Sequence, residues 1–359
     1  MQEIRIYDLT TKARLVDIDN YTSLMFARSW NGVGTFTLEI NKNVLSATKL
    51  AALAVDNILM VGDSSKKVGI ITEVENLFDQ TGRDSEIINV QGMELKGILE
   101  WRFVEPNPLF DRYVLNDNVE TVMKTLVTDQ VVNAINAKRN MPITVDADGN
   151  AGDPYLLSVD RSSIVSKELE SASLATGAGW YIYFTGSAYK FQVAFGVDRT
   201  AGQSVNGRAI FSSDFETLKQ GSYKKSYIDY KTYLSIGGTG VGKNRISRNI
   251  YSGLEPESFS RKECFIDARE LATNADLDAK GAAELEKKSA LYYVEGQPMP
   301  VSPLVYGTDY ELGDLVTVKT NEGIELDTRI TEVQESWAVN AYEISLQYDK
   351  SYPEFNKQM

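Results

Sequence analysis

The chain contains no histidine and a single cysteine, Cys264. Without histidine, the commonest general base and the commonest metal ligand are both missing. Metal clusters built from Cys and His cannot form within one chain. One cysteine excludes an internal disulfide and fits assembly in a reducing cytosol. Cys264 sits in Glu263-Cys264-Phe265-Ile266, a strand-like run, and reads as a core thiol, since a nucleophile needs a neighbouring base. No apolar run approaches the roughly 20 residues of a membrane span, so none is expected. The start, Met1-Gln2-Glu3-Ile4-Arg5, lacks the basic and apolar regions of a secretory leader. Positive charge is in deficit: 37 Lys and Arg against 50 Asp and Glu leave a net charge of −13. Phosphate contacts need clustered Lys and Arg, so specific nucleic-acid binding is not expected.

What is present is an ordinary globular composition, 43% hydrophobic over 359 residues. That length suits about two to three domains. The tetrapeptide Ile-Thr-Glu-Val occurs twice, at Ile71–Val74 and Ile330–Val333. The first copy follows Asp56-Asn57-Ile58-Leu59-Met60-Val61 and precedes Glu86-Ile87-Ile88-Asn89-Val90. The second follows Gly313-Asp314-Leu315-Val316-Thr317-Val318 and precedes Glu343-Ile344-Ser345-Leu346. The same order of three strands at nearly the same spacing reads as a duplicated β module.

The first 100 residues read as β. Phe36, Leu38 and Ile40 alternate with Thr35, Thr37 and Glu39, the period of a half-buried strand. Further strands are expected at Glu3–Tyr7, Leu24–Arg28, Ile58–Val61, Val68–Val74 and Ile87–Gln91. Helical spacing then runs from Asp117 to Val131, with Asp117 and Glu120 as a capping pattern. A second helix is expected over Ser162–Ala175, stopped by Gly177. Trp180–Phe184 and Tyr189–Val193 flank a turn and form an aromatic hairpin. Strands resume near Ala209–Phe211 and Tyr227–Ile236. Asn274–Leu291 reads as a surface helix carrying a Glu284–Lys288 pair. A meander closes the chain, with Ile324, Leu326 and Ile330 facing inward and Tyr342, Ile344, Leu346 and Tyr348 alternating.

Gly237-Gly238-Thr239-Gly240-Val241-Gly242-Lys243-Asn244 matches the spacing of a phosphate-binding loop. Such a loop next needs Ser or Thr and then a helix. Asn244 and the non-helical Arg245–Tyr251 supply neither, so a glycine loop leaving a strand is the reading. Asp146-Ala147-Asp148-Gly149-Asn150 begins like a calcium loop, but Ala151 and Leu157 stand where Gly and Glu are needed. It reads as a solvated turn. Rings of Trp180, Tyr181, Tyr183, Tyr189 and Phe191 are candidates for an interface, with a sugar platform as the other use of such rings. No nucleophile elbow is present. No catalytic residue, cofactor or metal is expected.

Several segments in one order resemble a known family. They are Trp30-Asn31-Gly32-Val33-Gly34-Thr35-Phe36, Gly196-Val197-Asp198-Arg199-Thr200, and the loop Gly237–Arg245. Then come Ser260-Arg261-Lys262-Glu263, Phe265-Ile266-Asp267-Ala268-Arg269, and Tyr310-Glu311-Leu312-Gly313-Asp314-Leu315-Val316-Thr317-Val318. The chain resembles the tail-tip hub proteins of long-tailed phages and prophages, of the siphovirus ReqiPepy type, related in fold to the baseplate hub of contractile phages. The resemblance implies an α+β, mainly β fold with two similar small antiparallel β-barrels. They would occupy 1–100 and 206–240 with 295–350, with insertions at 101–205 and 241–294 and a tail at 351–359. It implies a homotrimer around the DNA exit channel, six-fold in character above and three-fold below. The expected partners are the distal tail protein and tail tube, and receptor-binding or lytic tail proteins. The lytic role is expected to fall to other proteins, because the sequence stops soon after the second module. The location implied is the virion tail tip, assembled in the bacterial host cytoplasm. Three chains at −13 each carry −39, a charge that would repel DNA if it lines the channel. A hub or spike of a contractile injection machine and a carbohydrate-binding tail module are the alternatives.

Overall fold

The structure, a computed structural model, describes residues 2–78, 84–109, 111–159, 161, 163–269, 271–286, 288, 291–298, 302–319 and 325–349. The chain opens with β1 (Ile4–Asp8), β2 (Arg14–Ile18), β3 (Ser23–Ser29) and β4 (Thr35–Asn41). A short helix α1 (Ala47–Ala52) leads to β5 (Asn57–Val61), β6 (Val68–Phe78) and β7 (Asp84–Glu94). In β4 the expected alternation holds: Phe36, Leu38 and Ile40 are buried and their neighbours are not.

Next come β8 (Tyr113–Asn118), α2 (Val119–Val127), β9 (Ile143–Val145), β10 (Pro154–Val159) and α3 (Val165–Thr176). The hairpin β11 (Gly179–Phe184) and β12 (Tyr189–Ala194) follows, then β13 (Ile210–Phe211). Asp117 does not cap α2. Strand β8 continues through Asn118, and Glu120 instead pairs with Lys124 at 2.6 Å and accepts the Ala151 N–H at 3.1 Å. Past α2 the chain makes a π-helical turn over Thr128–Val132. Helix α3 ends as its sequence requires: Gly177 is left-handed, φ 76°, a conformation that costs glycine nothing.

The remaining elements are β14 (Leu218–Ser226), β15 (Tyr233–Gly237), β16 (Ser247–Ile250), β17 (Glu263–Asp267), α4 (Asn274–Glu286) and β18 (Leu291–Pro298). Last are β19 (Leu315–Lys319), β20 (Glu325–Ala338) and β21 (Ala341–Tyr348). The strand expected from Tyr227 begins only at Tyr233, and α4 ends before Lys288. Ile324 lies outside the described residues.

The chain divides into two compact units: residues 1–220, 296–325 and 329–347, and residues 221–295, 326–328 and 348–359. In the first, the strand order is β21-β20-β3-β4-β7-β6-β5-β1-β2, with β19 beside β20 and β13 beside β19. Each face of this sheet carries a buried cluster over part of its extent. One carries Ile4, Ile6, Leu24, Phe26, Leu38 and Val90. The other carries Ile58, Met60, Val68 and Ile70 against α2, α3 and the aromatic hairpin. Each such side chain stabilises the fold by about 1.5–3 kcal/mol. Among the described residues no sheet closes into a barrel, which corrects the expected pair of closed barrels. The reason is that β20 gives an edge to β3, from Glu332↔Ser29 to Ala338↔Ser23. Head and tail strands therefore share one sheet.

The repeat has a structural counterpart. β5-β6-β7 and β19-β20-β21 are both three-strand meanders in chain order. Both copies of Ile-Thr-Glu-Val slip in phase. β6 shifts register against β7 between Ile71 and Glu73. β20 buries Leu326, Thr328 and Ile330, then Val333, Glu335 and Trp337. An extra residue in a strand makes such a bulge and turns the strand's faces. In β21 only the later part of the expected alternation is buried: Leu346 and Tyr348 are inside, while Tyr342 is exposed and stacks on Trp337 at 5.7 Å.

The second unit is small. β15 pairs antiparallel with β16 and parallel with β17. Leu234, Ile236, Ala268 and Leu277 of α4 form its core. α4 lies close on the sheet because Gly281 faces Ile250, where a Cβ would come within 2.6 Å of that side chain.

Candidate functional site

Three of the segments singled out by sequence converge on Trp30. Its indole N–H donates to the Gly177 carbonyl at 3.0 Å. Gly179 and Gly313 press on the ring: a Cβ at either would fall within 2.4 and 2.1 Å of ring atoms. Gly196 in turn lies on the Gly313 carbonyl, with room for no side chain. Gly196 and Gly313, and Gly34 against the Ala27 carbonyl, are thus required by close approach.

Charged groups stitch the same junction. Glu94 accepts from the Gly34 N–H at 2.8 Å and the Ser29 N–H at 3.1 Å, and Lys96 stands 3.6 Å away. Lys96 is buried, donates to the Trp180 carbonyl at 3.1 Å and sits 4.6 Å from the Trp180 ring centroid. Burial pushes its pKa down, against the pull of Glu94. Asp314 accepts from the Val197 N–H and Arg199 Nε, both at 2.8 Å, and from the Glu311 N–H at 3.0 Å. Glu311 takes Arg28 at 2.6 Å, the Tyr306 hydroxyl at 2.9 Å and the Leu312 N–H at 2.8 Å. Burial works to raise Glu311, yet Arg28 and these hydrogen bonds hold it below the ordinary carboxylate value. A cleft of about 220 Å³ opens here, lined among others by Arg28, Lys66, Trp180, Tyr181, Arg199 and Glu311. Its carboxylates are committed to neighbours on the chain. The arrangement fastens segments together and presents no base poised on a nucleophile.

The aromatic hairpin divides into two faces. Trp180, Tyr189 and Phe191 are 1%, 2% and 0% exposed and belong to the core beneath the sheet. Trp180 donates to the Asn31 carbonyl at 2.8 Å and Tyr189 to the Leu9 carbonyl at 2.7 Å. Tyr181 and Tyr183 are half-buried. Lys66 lies 4.9 Å from the Tyr181 ring centroid. The Tyr183 hydroxyl donates to Asp146 at 2.7 Å, and burial followed by that carboxylate pushes its pKa up to about 12. Of the five interface candidates, only these two reach the surface. The period-two pattern of a hairpin shows which rings share a face, and says nothing of which face is covered.

The glycine loop is not a phosphate cradle. Behind Lys243 the chain turns briefly over Gly242–Asn244 and enters strand β16. The loop wraps Arg245, whose Nε and Nη2 donate to Gly238 at 3.0 Å and Gly237 at 2.9 Å, and which also binds Asp267. The acidic turn is likewise occupied. Asp148 accepts from Thr121 Oγ1 at 2.7 Å and from the Asn150 N–H at 2.9 Å. Among the described residues no group of three acidic or cysteine side chains could hold a metal ion. Cys264 is half-buried, burial raises its pKa, and its Sγ lies 3.8 Å from the Tyr233 carbonyl. No helix among the described residues is long and apolar enough to cross a membrane. Sequence reasoning missed Glu94 and Lys96, which carry no motif. Asp314 lay inside a quoted segment without a role.

The sequence matches the family described as Siphovirus ReqiPepy6 Gp37-like protein over residues 3–347. No curated protein matches it. Solved structures of similar fold include the 43 kDa tail protein of prophage MuSo2 from Shewanella oneidensis, at 14% identity and TM-score 0.64, covering 97% of this chain and 98% of that one. A tail protein from Neisseria meningitidis MC58 aligns at 12% identity and TM-score 0.57, covering 97% and 96%. Prophage tail protein gp18 from Listeria monocytogenes EGD-e aligns at 11% identity and TM-score 0.55, covering 97% and 95%.

Proposed function

Because the chain belongs to the Siphovirus ReqiPepy6 Gp37-like protein family, we propose that it is a structural protein of a phage or prophage tail. It serves as a hub at the distal end, between the tail tube with its distal tail protein and the host-recognition or wall-degrading parts. Three copies form a ring around the DNA exit. Segments 1–100 and 206–240 with 295–350 are the two kindred modules, each built around one meander, so three chains present six similar units to a six-fold tube.

The observation that carries this reading is the repeated meander. Asp56 and Gly313 enter β5 and β19 through the same turn and bond the same isoleucine of Ile-Thr-Glu-Val. Whole-length likeness in fold to tail proteins of three bacterial hosts supports it. The junction at Trp30 fastens several segments of the chain together, which suits a structural ring, and its engaged carboxylates suit a role without catalysis.

Gold-labelled antibody against the protein, applied to purified particles, tests the placement. Label confined to the distal end of the tail is expected. Label along the tube, on the head, or absent from particles would contradict it.

A further inference from the structure

A cleft of about 650 Å³ lies where the turn between β20 and β21 meets the turn between β5 and β6. Lys67 and Glu335 line it as an ion pair, with Lys67 Nζ 2.6 Å from Oε1 and 2.5 Å from Oε2. The Tyr342 hydroxyl donates to the same carboxylate at 2.8 Å. Glu335 is 2% exposed, so burial strengthens these bonds and holds the network in one geometry. Another part of the lining is aromatic. Trp337 is buried and stacks on Tyr342, with ring centroids 5.7 Å apart. Tyr342 is 49% exposed, so much of its ring stays uncovered.

The neutral polar groups of the lining are uncommitted. The side chains of Gln2, Ser64 and Asn340 have no hydrogen-bond partner among the described residues. Backbone geometry places two of them. Gly62, left-handed at φ 59°, leaves space for the Gln2 amide: a Cβ there would come within 2.3 Å of its nitrogen. Asn340, at φ 60°, sits in the two-residue turn between β20 and β21, in a conformation that asparagine tolerates. Side-chain amides and hydroxyls both donate and accept. The charged groups are the reverse case. Lys67 is taken by Glu335, and Asp63 is paired with Arg5. An anion finds no open cation here, and a cation finds no open carboxylate.

We propose that this cleft binds a neutral sugar ring. A saccharide offers a face of C–H groups to an aromatic ring and a rim of hydroxyls to donors and acceptors. Tyr342 supplies the ring, and Gln2, Ser64 and Asn340 supply the hydrogen bonds. The Glu335–Lys67–Tyr342 network is ordered before the sugar arrives, which lowers the cost of binding. The volume falls within the roughly 300–1,000 Å³ of small-molecule sites, where a few placed polar groups fix orientation. The aromatic hairpin is the poorer platform, since Trp180, Tyr189 and Phe191 are core. The cleft lies within one chain, so the proposal holds whatever number of copies the tail contains.

Saturation-transfer NMR on the full chain tests it, with glucose, galactose, rhamnose and N-acetylglucosamine as neutral probes and glucuronate as the charged one. Transfer to the ring C–H protons of at least one neutral probe is expected, and less to glucuronate. Binding of that probe is expected to weaken about tenfold in Tyr342→Ala and to hold within about twofold in Tyr342→Phe, which keeps the ring. Asn340→Gly keeps the left-handed turn and is expected to weaken binding about threefold. Where Tyr342→Ala folds poorly, Asn340→Gly carries the test. Tyr181→Ala, on the aromatic hairpin, is expected to bind as the wild type does. No transfer to any neutral probe, or stronger transfer to glucuronate, overturns the proposal. So does binding that survives both Tyr342→Ala and Asn340→Gly, or that is lost in Tyr181→Ala.

Discussion

Asp56 and Gly313 stand at the same place in two copies of one turn. Both have left-handed backbones, φ 70° and 93°. Both donate their N–H to the isoleucine that opens Ile-Thr-Glu-Val, Asp56 to Ile71 and Gly313 to Ile330, each at 2.9 Å. Each turn is closed by the following residue: Asn57 N–H to the Ala54 carbonyl at 3.2 Å, and Asp314 N–H to the Glu311 carbonyl at 3.1 Å. A four-letter repeat in sequence thus marks a repeated hydrogen-bonded device, 15 residues from turn to isoleucine in one copy and 17 in the other.

The two positions respond differently to substitution. Gly313→Ala meets both the left-handed backbone and the Trp30 ring, and is expected to cost about 2–5 kcal/mol from those two sources. Asp56→Gly relieves a left-handed non-glycine residue while loosening the unfolded chain, and is expected to leave stability within about 1 kcal/mol. Urea unfolding of the two variants, with unchanged slope, makes the comparison.

The Glu94–Lys96 pair predicts a coupling. Lys96→Met leaves Glu94 buried with its charge uncompensated and is expected to cost about 3–5 kcal/mol. Adding Glu94→Gln removes that charge and is expected to recover part of the loss. A double variant as damaged as the sum of the two singles would show that the pair acts independently.

Two pH limits follow from the junction and the hairpin. The folded pKa of Glu311 is depressed, so its contribution is present above the ordinary value of 4.5 and lost as pH falls through the lower folded value. Glu311→Gln is expected to flatten the acid side of the stability curve. The folded pKa of Tyr183 is raised to about 12, so its contribution is full below the ordinary value of 10.0 and lost as pH rises through the folded value. Tyr183→Phe is expected to soften the alkaline decline between those limits. Thermal melts across pH check both, with wild type and variant parallel at each extreme if the assignments are wrong.

The glycine loop makes a negative prediction. Wild type and Lys243→Ala are expected to show equal and negligible binding of a fluorescent ATP analogue, since β16 follows the loop where a helix N-terminus is needed. Saturable binding lost in the variant would reverse this reading.

Local pattern was legible where one face of a strand is buried. Thr35–Ile40 announces β4, and Gly177 announces the end of α3, because period and backbone freedom are properties of the sequence itself. The start of α2 was misread because Asp117 and Glu120 fit a cap, while pairing of β8 with β10 carries the strand through Asn118. That is a tertiary contact with no local signature. The same holds for the sheet. Ile-Thr-Glu-Val marks two three-strand meanders, but the β3–β20 pairing that joins them in one sheet links residues some 300 apart in the chain. Trp180, Tyr189 and Phe191 show that aromatic richness locates a hairpin and leaves its exposure to whatever packs on it, here α2, α3 and the sheet.

The most direct measurement is a cryo-electron microscopy reconstruction of the distal end of the assembled tail. The account predicts three copies of this chain around the axis, with β5–β7 and β19–β21 alternating as six similar units facing the tube. A tail end lacking the chain, or holding it in any number other than three, would contradict it.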